Sequence, residues 1–367
     1  MRFQAAVLHG VDRPLVVEEV ELPDPAVGEV LIRNRASGLC HTDLEVIEGR
    51  MGYPFPIVLG HEGAGVVEAV GEGVSAVRPG DAVVASWNPH CGHCYYCRRD
   101  EPILCEPFRR HQPAGRMLDG GTRLTLDGGA VHHFGVVSSH AEFSLVPESG
   151  AIPIPREMPL DRACLLGCGV MTGVGAVLRL AKVAAGDTMA VVGCGAVGLN
   201  AIQAGSIARA ERIIALDRDP ARLERAARLG ATDTLLADDS AIAAVKALTG
   251  GRGVDAAFES AGAESAMRLA LEIARPGAQV VLLGKVPIAQ MVSFRFGSLM
   301  GEKRITRSSY GAARPARDFP WLARLYLEGK LRLDELITAR VPLARINEGF
   351  DAMRRGEGVR TLVEFAA

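Results

Sequence analysis

At 367 residues, 48% hydrophobic and 23% charged, the chain is long for a single core and ordinary in composition for a globular protein, so two domains are expected. Forty-one basic against forty-three acidic residues leave a net charge of −2 with no dense Lys/Arg run, which argues against a nucleic-acid surface. The opening "MRFQAAVLHGVDRP" has no long apolar h-region, so the expected location is the reducing cytoplasm, where clustered cysteines bind metal more often than they pair.

Residues 1 to about 160 read as short β-runs punctuated by Gly and Pro, among them "EVLIRNRASG", "GAGVVEAVG", "DAVVASW" and "AEFSLVP". Such spacing predicts a strongly bent β-rich unit with long loops. From about 170 the texture alternates: strand "TMAVVG", helix 196–209, strand "RIIALD", helix 220–229, strand "DTLLA", helix 239–249, strand "VDAAFE", helix 264–274, strand "QVVLLG". That alternation predicts a parallel, doubly wound sheet, so the fold class is α/β. After about 305 the pattern is mixed, with amphipathic "FPWLARLYLEG" and "INEGFDAMRRG" as a shorter returning piece. The uncharged stretch Thr188 to Ala208 is long enough to span a membrane, but its glycines, Asn200 and Gln203 fit a buried strand, a glycine turn and a helix better, and no membrane association is expected.

"VVGCGAVG" sets Gly193, Gly195 and Gly198 directly after a strand and at the head of a helix. Gly193 permits the tight turn, Gly195 lets a pyrophosphate approach the backbone, and Gly198 permits close helix–strand packing, with the helix N-terminus facing the phosphates. Asp217 ends the next strand, nineteen positions after Gly198, where a carboxylate takes the adenosine ribose hydroxyls. Its charge repels a 2′-phosphate, so NAD rather than NADP is expected, although the neighbouring Arg218 works the other way.

Four of the eight cysteines, Cys91, Cys94, Cys97 and Cys105, crowd into "CGHCYYCRRDEPILC". Four thiolates close a tetrahedral zinc shell and leave no open position; an iron–sulfur cluster is the rival. A hydride-transfer enzyme using NAD needs no electron-transfer centre, which favours structural zinc. A second, open set is formed by Cys40 in "GLCHTD", His61 in "GHEGAG" and Cys168 in "LLGCGV", two thiolates and an imidazole with a fourth position free. Sequence alone does not bring these three together. Cys164 and Cys194 read as small buried apolar side chains.

"GHEGAGVVEAVGEGV" fits the pattern GHExxGxxxxxGxxV through Gly60, His61, Glu62, Gly65, Gly71 and Val74. Together with "GLCHTD", the four-cysteine loop, "LLGCGVMTG" and "GCGAVG" in that order, the chain resembles the zinc-dependent medium-chain alcohol dehydrogenases from about residue 5 to "GVRTLVEF". The resemblance implies a GroES-like catalytic domain over 1–169, an NAD-binding Rossmann domain over 170–305, and a returning part of the catalytic domain over 306–367. It implies two zinc ions per chain, one catalytic on Cys40, His61 and Cys168, and one structural on the four-cysteine loop. Asp43 resembles the carboxylate that orients the zinc-bound imidazole. Glu62 resembles the carboxylate behind the metal, pairing with Arg360 or approaching the zinc during ligand exchange. His41 and Arg360 match contacts to the cofactor phosphates, Thr172 a neighbour of the nicotinamide, and Arg222 a cationic contact on the adenosine ribose. The implied reaction is alcohol oxidation: zinc lowers the pKa of the bound alcohol, Thr42 takes its proton, and hydride passes to NAD. Where several members end the relay at a histidine, this chain has Glu45, so either Glu45 is the exit base or water takes the proton directly.

Trp87 aligns with a wall of the inner pocket, and an indole there favours primary alcohols and their aldehydes, aromatic or medium-chain, over branched secondary ones. Arg109 matches the arginine with which glutathione-dependent formaldehyde dehydrogenases hold a substrate carboxylate, and "RMLDGGTRL" resembles that class too; "EGRMGYPFP" lacks its acidic pair. The alternative is therefore a thiol-adduct formaldehyde dehydrogenase, on glutathione or mycothiol. A zinc-less or non-catalytic relative is expected to lose Cys40, His61 or Cys168, and this chain keeps all three with Thr42. The long segment between Cys105 and "AEFSLV" goes with dimers in the family, and the near-continuous strand "GAQVVLLG" suggests a sheet extended across a two-fold axis.

Overall fold

The run "EVLIRNRASG" forms the ten-residue strand Glu29–Gly38, buried at most positions because it pairs on both sides. In the computed structural model, which describes residues 1–366, this strand is the centre of the first of two units. That unit comprises Met1–Cys168 and the chain from Arg314 onward; the second is Gly169–Ala313.

In the first unit, Glu29–Gly38 pairs antiparallel with Gly63–Val70, Phe143–Pro147 and Arg360–Glu364. Ala82–Ala85, Ala151–Pro153 and Ile337–Pro342 complete a seven-stranded sheet. Five shorter strands, Arg2–Leu8, Val16–Glu21, Leu124–Leu126, Gly129–His133 and Ile57–Val58, close into a small barrel. The amphipathic pieces after 314 are the helices Pro315–Leu327 and Ile346–Arg354. Ile346 and Phe350 of the latter bury into a core shared with Leu39, Leu44 and Ile47.

In the second unit six parallel strands lie in the spatial order Asp233–Leu236, Arg212–Asp217, Thr188–Val192, Val254–Glu259, Ala274–Leu282, Arg304–Arg307. This is the doubly wound order three-two-one-four-five-six, with the switch between the first and fourth strands. Helices Ala196–Ala208, Pro220–Arg228, Ala241–Leu248 and Glu264–Ile273 connect the first five strands. The uncharged stretch 188–208 resolves into a strand and a helix, and no single helix among the described residues is long and apolar enough to cross a membrane.

Two features depart from the sequence reading. Strand Arg304–Arg307 carries no apolar run to announce it, yet it pairs with Ala274–Leu282 as the sixth strand. The strand containing "GAQVVLLG" is therefore flanked on both sides and cannot extend the sheet across a two-fold axis; its apolar run reflects burial between neighbours.

Candidate active site

Strand register assembles the site. Ser37 pairs with Gly63, and Leu362 pairs with Gly38, so Cys40, His61–Glu62 and Arg360 emerge at one edge of the seven-stranded sheet. Gly38 N–H donates to the Glu62 carbonyl at 2.9 Å and Leu39 N–H to the Thr361 carbonyl at 2.9 Å, which fixes that alignment. Cys168 arrives after the 3₁₀ turn Cys164–Gly167. Gly167 lies close under the neighbouring strands: a Cβ there would stand 3.2 Å from the Ala85 carbonyl and 3.7 Å from that of His61. The ligand atoms of Cys40, His61, Glu62 and Cys168 consequently all lie within 4.8 Å of one another.

Cys40 precedes the helix His41–Ile47, whose third residue, Asp43, is fully buried and aims its carboxylate back at the trio. Asp43 Oδ2 accepts from Cys40 N–H at 3.1 Å; Oδ1 accepts from Gly60 N–H at 3.0 Å and lies 3.2 Å from His61 Nδ1. An Nδ1–H held in this way leaves Nε2 free for a metal. Thr42 Oγ1 sits 3.8 Å from Cys40 Sγ.

The electrostatics are those of a metal site. Cys168 shares its proton with Cys40, which brings Cys40 well below an ordinary thiol, while that partner and then burial push Cys168 well above. Burial opposes charge on His61, but Asp43 and the Cys40 thiolate prevail and raise it well above the usual imidazole range. Burial lifts Glu62 to about 7 despite Arg360, whose Nη2 lies 3.1 Å from Glu62 Oε1. Arg360 Nη1 also donates to the Leu39 carbonyl at 3.1 Å. Two sulfurs, one oriented imidazole and a buried carboxylate whose Oε2 has no hydrogen-bond partner among the described residues fit a divalent soft-to-borderline metal with an open position.

The four loop cysteines also converge. Cys94 and Cys97 Sγ lie 3.4 Å apart, Cys91 and Cys97 4.0 Å, and all four within 4.8 Å. A tetrahedron with bonds of about 2.3 Å has sulfur–sulfur edges of about 3.8 Å, so the cage fits zinc. Burial opposes the charged form of Cys94, but the N–H groups of Glu106 and Cys97 draw it down to about 6; Cys97 is pushed up to about 12 by burial and by that neighbour. None of the eight cysteines is in a disulfide.

In the second unit, Gly193 takes φ +99 and Gly195 caps the helix Ala196–Ala208. A Cβ on Gly198 would fall 1.9 Å from the Gly193 carbonyl oxygen, whereas one on Gly195 would meet nothing within 4 Å, so the turn is tight below and open above. Asp217 Oδ2 accepts from Cys194 N–H at 2.7 Å, tying the strand-end carboxylate to the glycine turn. Arg222 lies half-exposed beside Asp219 at 3.6 Å. This cradle fits a dinucleotide. Thr172 is buried in the helix Gly169–Gly175 of the same unit, and His41 is exposed at the head of its helix in the first unit.

The chain is similar to known proteins over its whole length. Residues 26–156 match the alcohol dehydrogenase GroES-like domain, and residues 196–328 match the zinc-binding dehydrogenase family. Alcohol dehydrogenase class-3 of Myxine glutinosa is 40% identical over 98% of this chain and 97% of its own length. S-(hydroxymethyl)glutathione dehydrogenase of Haemophilus influenzae is 39% identical over 100% of this chain and 98% of its own. The chain belongs to the zinc-dependent medium-chain alcohol dehydrogenases. It is an NAD-dependent zinc oxidoreductase acting on alcohols. Among solved structures, an alcohol dehydrogenase zinc-binding domain protein from Burkholderia ambifaria superposes with a TM-score of 0.96 at 36% identity, covering 100% of both chains. Benzyl alcohol dehydrogenase from Acinetobacter calcoaceticus superposes at 0.94 with 31% identity, again over 100% of both.

Around the dehydrogenase trio, Trp87 is half-buried and packs 6.2 Å from Phe108, part of the apolar cluster that holds Cys94 and Cys105. Gly135 separates Trp87 from His61: a Cβ there would stand 3.1 Å from Trp87 Cβ and 3.4 Å from His61 Cβ. Arg109 is exposed on the short helix Glu106–His111, and Glu45 is half-buried on His41–Ile47. Sequence reasoning missed Phe134, whose ring meets His61 edge-on at 5.4 Å, and the buried His140 beside Asp43. Neither carries a spacing signal; "HHFGVVSSH" reads only as a loop and strand start.

Proposed function

We propose that this dehydrogenase oxidises primary alcohols, aromatic or medium-chain, to aldehydes and runs the reverse reaction, with NAD as hydride carrier. The observation that carries the reading is the convergence of Cys40, His61 and Cys168 with Thr42 beside them. When bound, zinc acts as a Lewis acid on the alcohol oxygen and the nicotinamide accepts the hydride. Cys40, His61 and Cys168 hold that metal; Asp43 fixes the His61 tautomer. Glu62, compensated by Arg360, supplies the carboxylate behind it. The Thr42 hydroxyl takes the alcohol proton and passes it outward, either to Glu45 or to water. Gly193, Gly195 and Gly198 would leave room for the pyrophosphate, and Asp217, with Arg222, would hold the ribose hydroxyls; His41 and Arg360 as phosphate contacts and Thr172 as a nicotinamide neighbour are the roles the family resemblance implies. Cys91, Cys94, Cys97 and Cys105 hold a second, structural zinc. The half-buried Trp87 next to Gly135 and His61 supports a narrow inner pocket suited to unbranched carbinols. The reading places the enzyme in the cytoplasm as a homodimer, the latter supported by the length of the segment between Cys105 and Ala141.

Oxidation of a thiol adduct of formaldehyde is the second reading. It is favoured by the names of two full-length relatives, the S-(hydroxymethyl)glutathione dehydrogenases of Haemophilus influenzae and Escherichia coli, and by Arg109, exposed and without an ion pair among the described residues, as an anion contact. Metal analysis with NAD-coupled assays on benzyl alcohol, hexanol and S-hydroxymethylglutathione separates the two. About two zinc ions per chain and turnover of benzyl alcohol are expected. Activity confined to the glutathione adduct, abolished by Arg109→Ala, would replace the first reading by the second.

A further inference from the structure

His140 is fully buried, outside the metal trio, and unused by the chemistry above. Its Nδ1 lies 2.9 Å from Ser37 Oγ, which in turn lies 2.7 Å from Ser139 Oγ. Its Nε2 has no hydrogen-bond partner among the described residues and lies 3.9 Å from Asp43 Oδ1, the same oxygen that holds His61 Nδ1. The backbone is locked alongside: His140 N–H donates to the Leu59 carbonyl at 3.0 Å, and Ser139 N–H to the Gly60 carbonyl at 3.0 Å. A Cβ on Gly60 would stand 2.5 Å from His140 N and 2.6 Å from its Nδ1, so the loop bearing His61 rests directly on this histidine.

Burial keeps the ring neutral, pushed down to about 4 although Asp43 and Cys40 favour its charge and His61 opposes it. A neutral imidazole has a single N–H. With Ser37 donating to Nδ1, that hydrogen sits on Nε2, facing the carboxylate; the other tautomer would turn a lone pair on an anion. An apolar ring would fill the same space beside Phe350, whose ring meets His140 edge-on at 5.9 Å, without burying an unpartnered nitrogen. The polar ring therefore costs stability, and its return lies at Asp43.

We propose that His140 is a positioning residue for the catalytic metal. Oriented by Ser37, its Nε2–H attracts Asp43 Oδ1 and keeps that carboxylate aimed at His61 Nδ1, which sets how tightly Cys40, His61 and Cys168 hold the ion. This rests on the assignment of those three as ligands. Loss of partners one step behind a metal ligand typically weakens metal binding about 10–100-fold.

The test uses the zinc-loaded enzyme, with metal retention measured by competition against a chelator and thermal unfolding followed in parallel. His140→Phe is expected to melt no lower than the parent, yet to hold one of its two zinc ions about tenfold or more weaker. His140→Gln, whose amide N–H reaches toward Asp43, is expected to restore most of that hold. Unchanged retention in His140→Phe, or no rescue by Gln relative to Phe, overturns the proposal; a residue that only fills space would shift melting and leave retention alone. Should His140→Phe not accumulate folded, Ser37→Ala carries the test: weaker retention supports the proposal and unchanged retention overturns it. Cys168→Ala, run alongside, checks the ligand assignment itself. If it keeps both ions the assignment is wrong, whereas if it loses one and His140→Phe loses none, only the role of His140 fails.

Discussion

Among the three ligand side chains, the thiol proton of Cys168 decides the charge of the set. It lies between Cys168 and Cys40, so the metal-free trio holds one shared thiolate and a His61 raised well above its usual range. Metal ligation needs both thiolates and a neutral imidazole, so zinc loading at neutral pH releases protons from His61 and Cys168. Because both groups are raised, affinity falls as pH is lowered. Calorimetry in two buffers of different ionisation enthalpy should show that release, and identical heats would contradict it. Cys168→Ala removes one of three ligands and is expected to abolish alcohol turnover with the secondary structure retained, by circular dichroism; full activity would remove the trio from the chemistry.

Elements act here through their ends. Strand Glu29–Gly38 presents Cys40 just beyond its last residue and Gly63–Val70 presents His61 just before its first, so a one-residue slip would turn these side chains to the other face. In the second unit, strand Thr188–Val192 delivers its glycine turn at the switch point of the sheet. Gly198→Ala places a methyl 1.9 Å from the Gly193 carbonyl oxygen, a contact between backbone-fixed atoms that only a shift of turn or helix relieves. NADH affinity, measured by fluorescence titration, should fall at least about tenfold, about 1.4 kcal/mol, while zinc content stays at the parental value. Unchanged affinity would show that the turn does not carry the cofactor.

Across the whole molecule, buried neutral histidines set the acid response. Burial, then the charge of Arg123, push His133 down to about 3; its Nε2 accepts the Arg123 N–H at 3.0 Å. The unfolded chain binds a proton there near its ordinary value of about 6.5, and the folded one does not. The stabilisation is complete above about pH 6.5 and lost as pH falls toward 3. Asp161 and Asp255, held low against burial by hydrogen bonds from Arg162 and from Thr188, lose theirs at still lower pH. Urea midpoints measured from pH 7.5 to 4.5 should decline, and His133→Gln should flatten that decline; an equal slope would exclude His133 as a source.

The sequence by itself determined whatever is local. Four cysteines within one loop, a glycine turn between strand and helix, and an acid at the end of the next strand are spacings that backbone geometry converts directly into a cage and a cradle. The alternation after 170 predicted five of the six parallel strands for the same reason, and missed Arg304–Arg307 because an edge strand with exposed arginines has no apolar pattern to read. The tertiary structure alone decided the convergence of Cys40, His61 and Cys168, which depends on the pairing of Ser37 with Gly63 and on Gly167 lying close beneath the neighbouring strands. It alone placed His140 against Asp43 and Gly135 between Trp87 and His61. Contacts between residues far apart in the chain leave no periodic trace, because side-chain periodicity records only which face of one element is buried, not what lies opposite it.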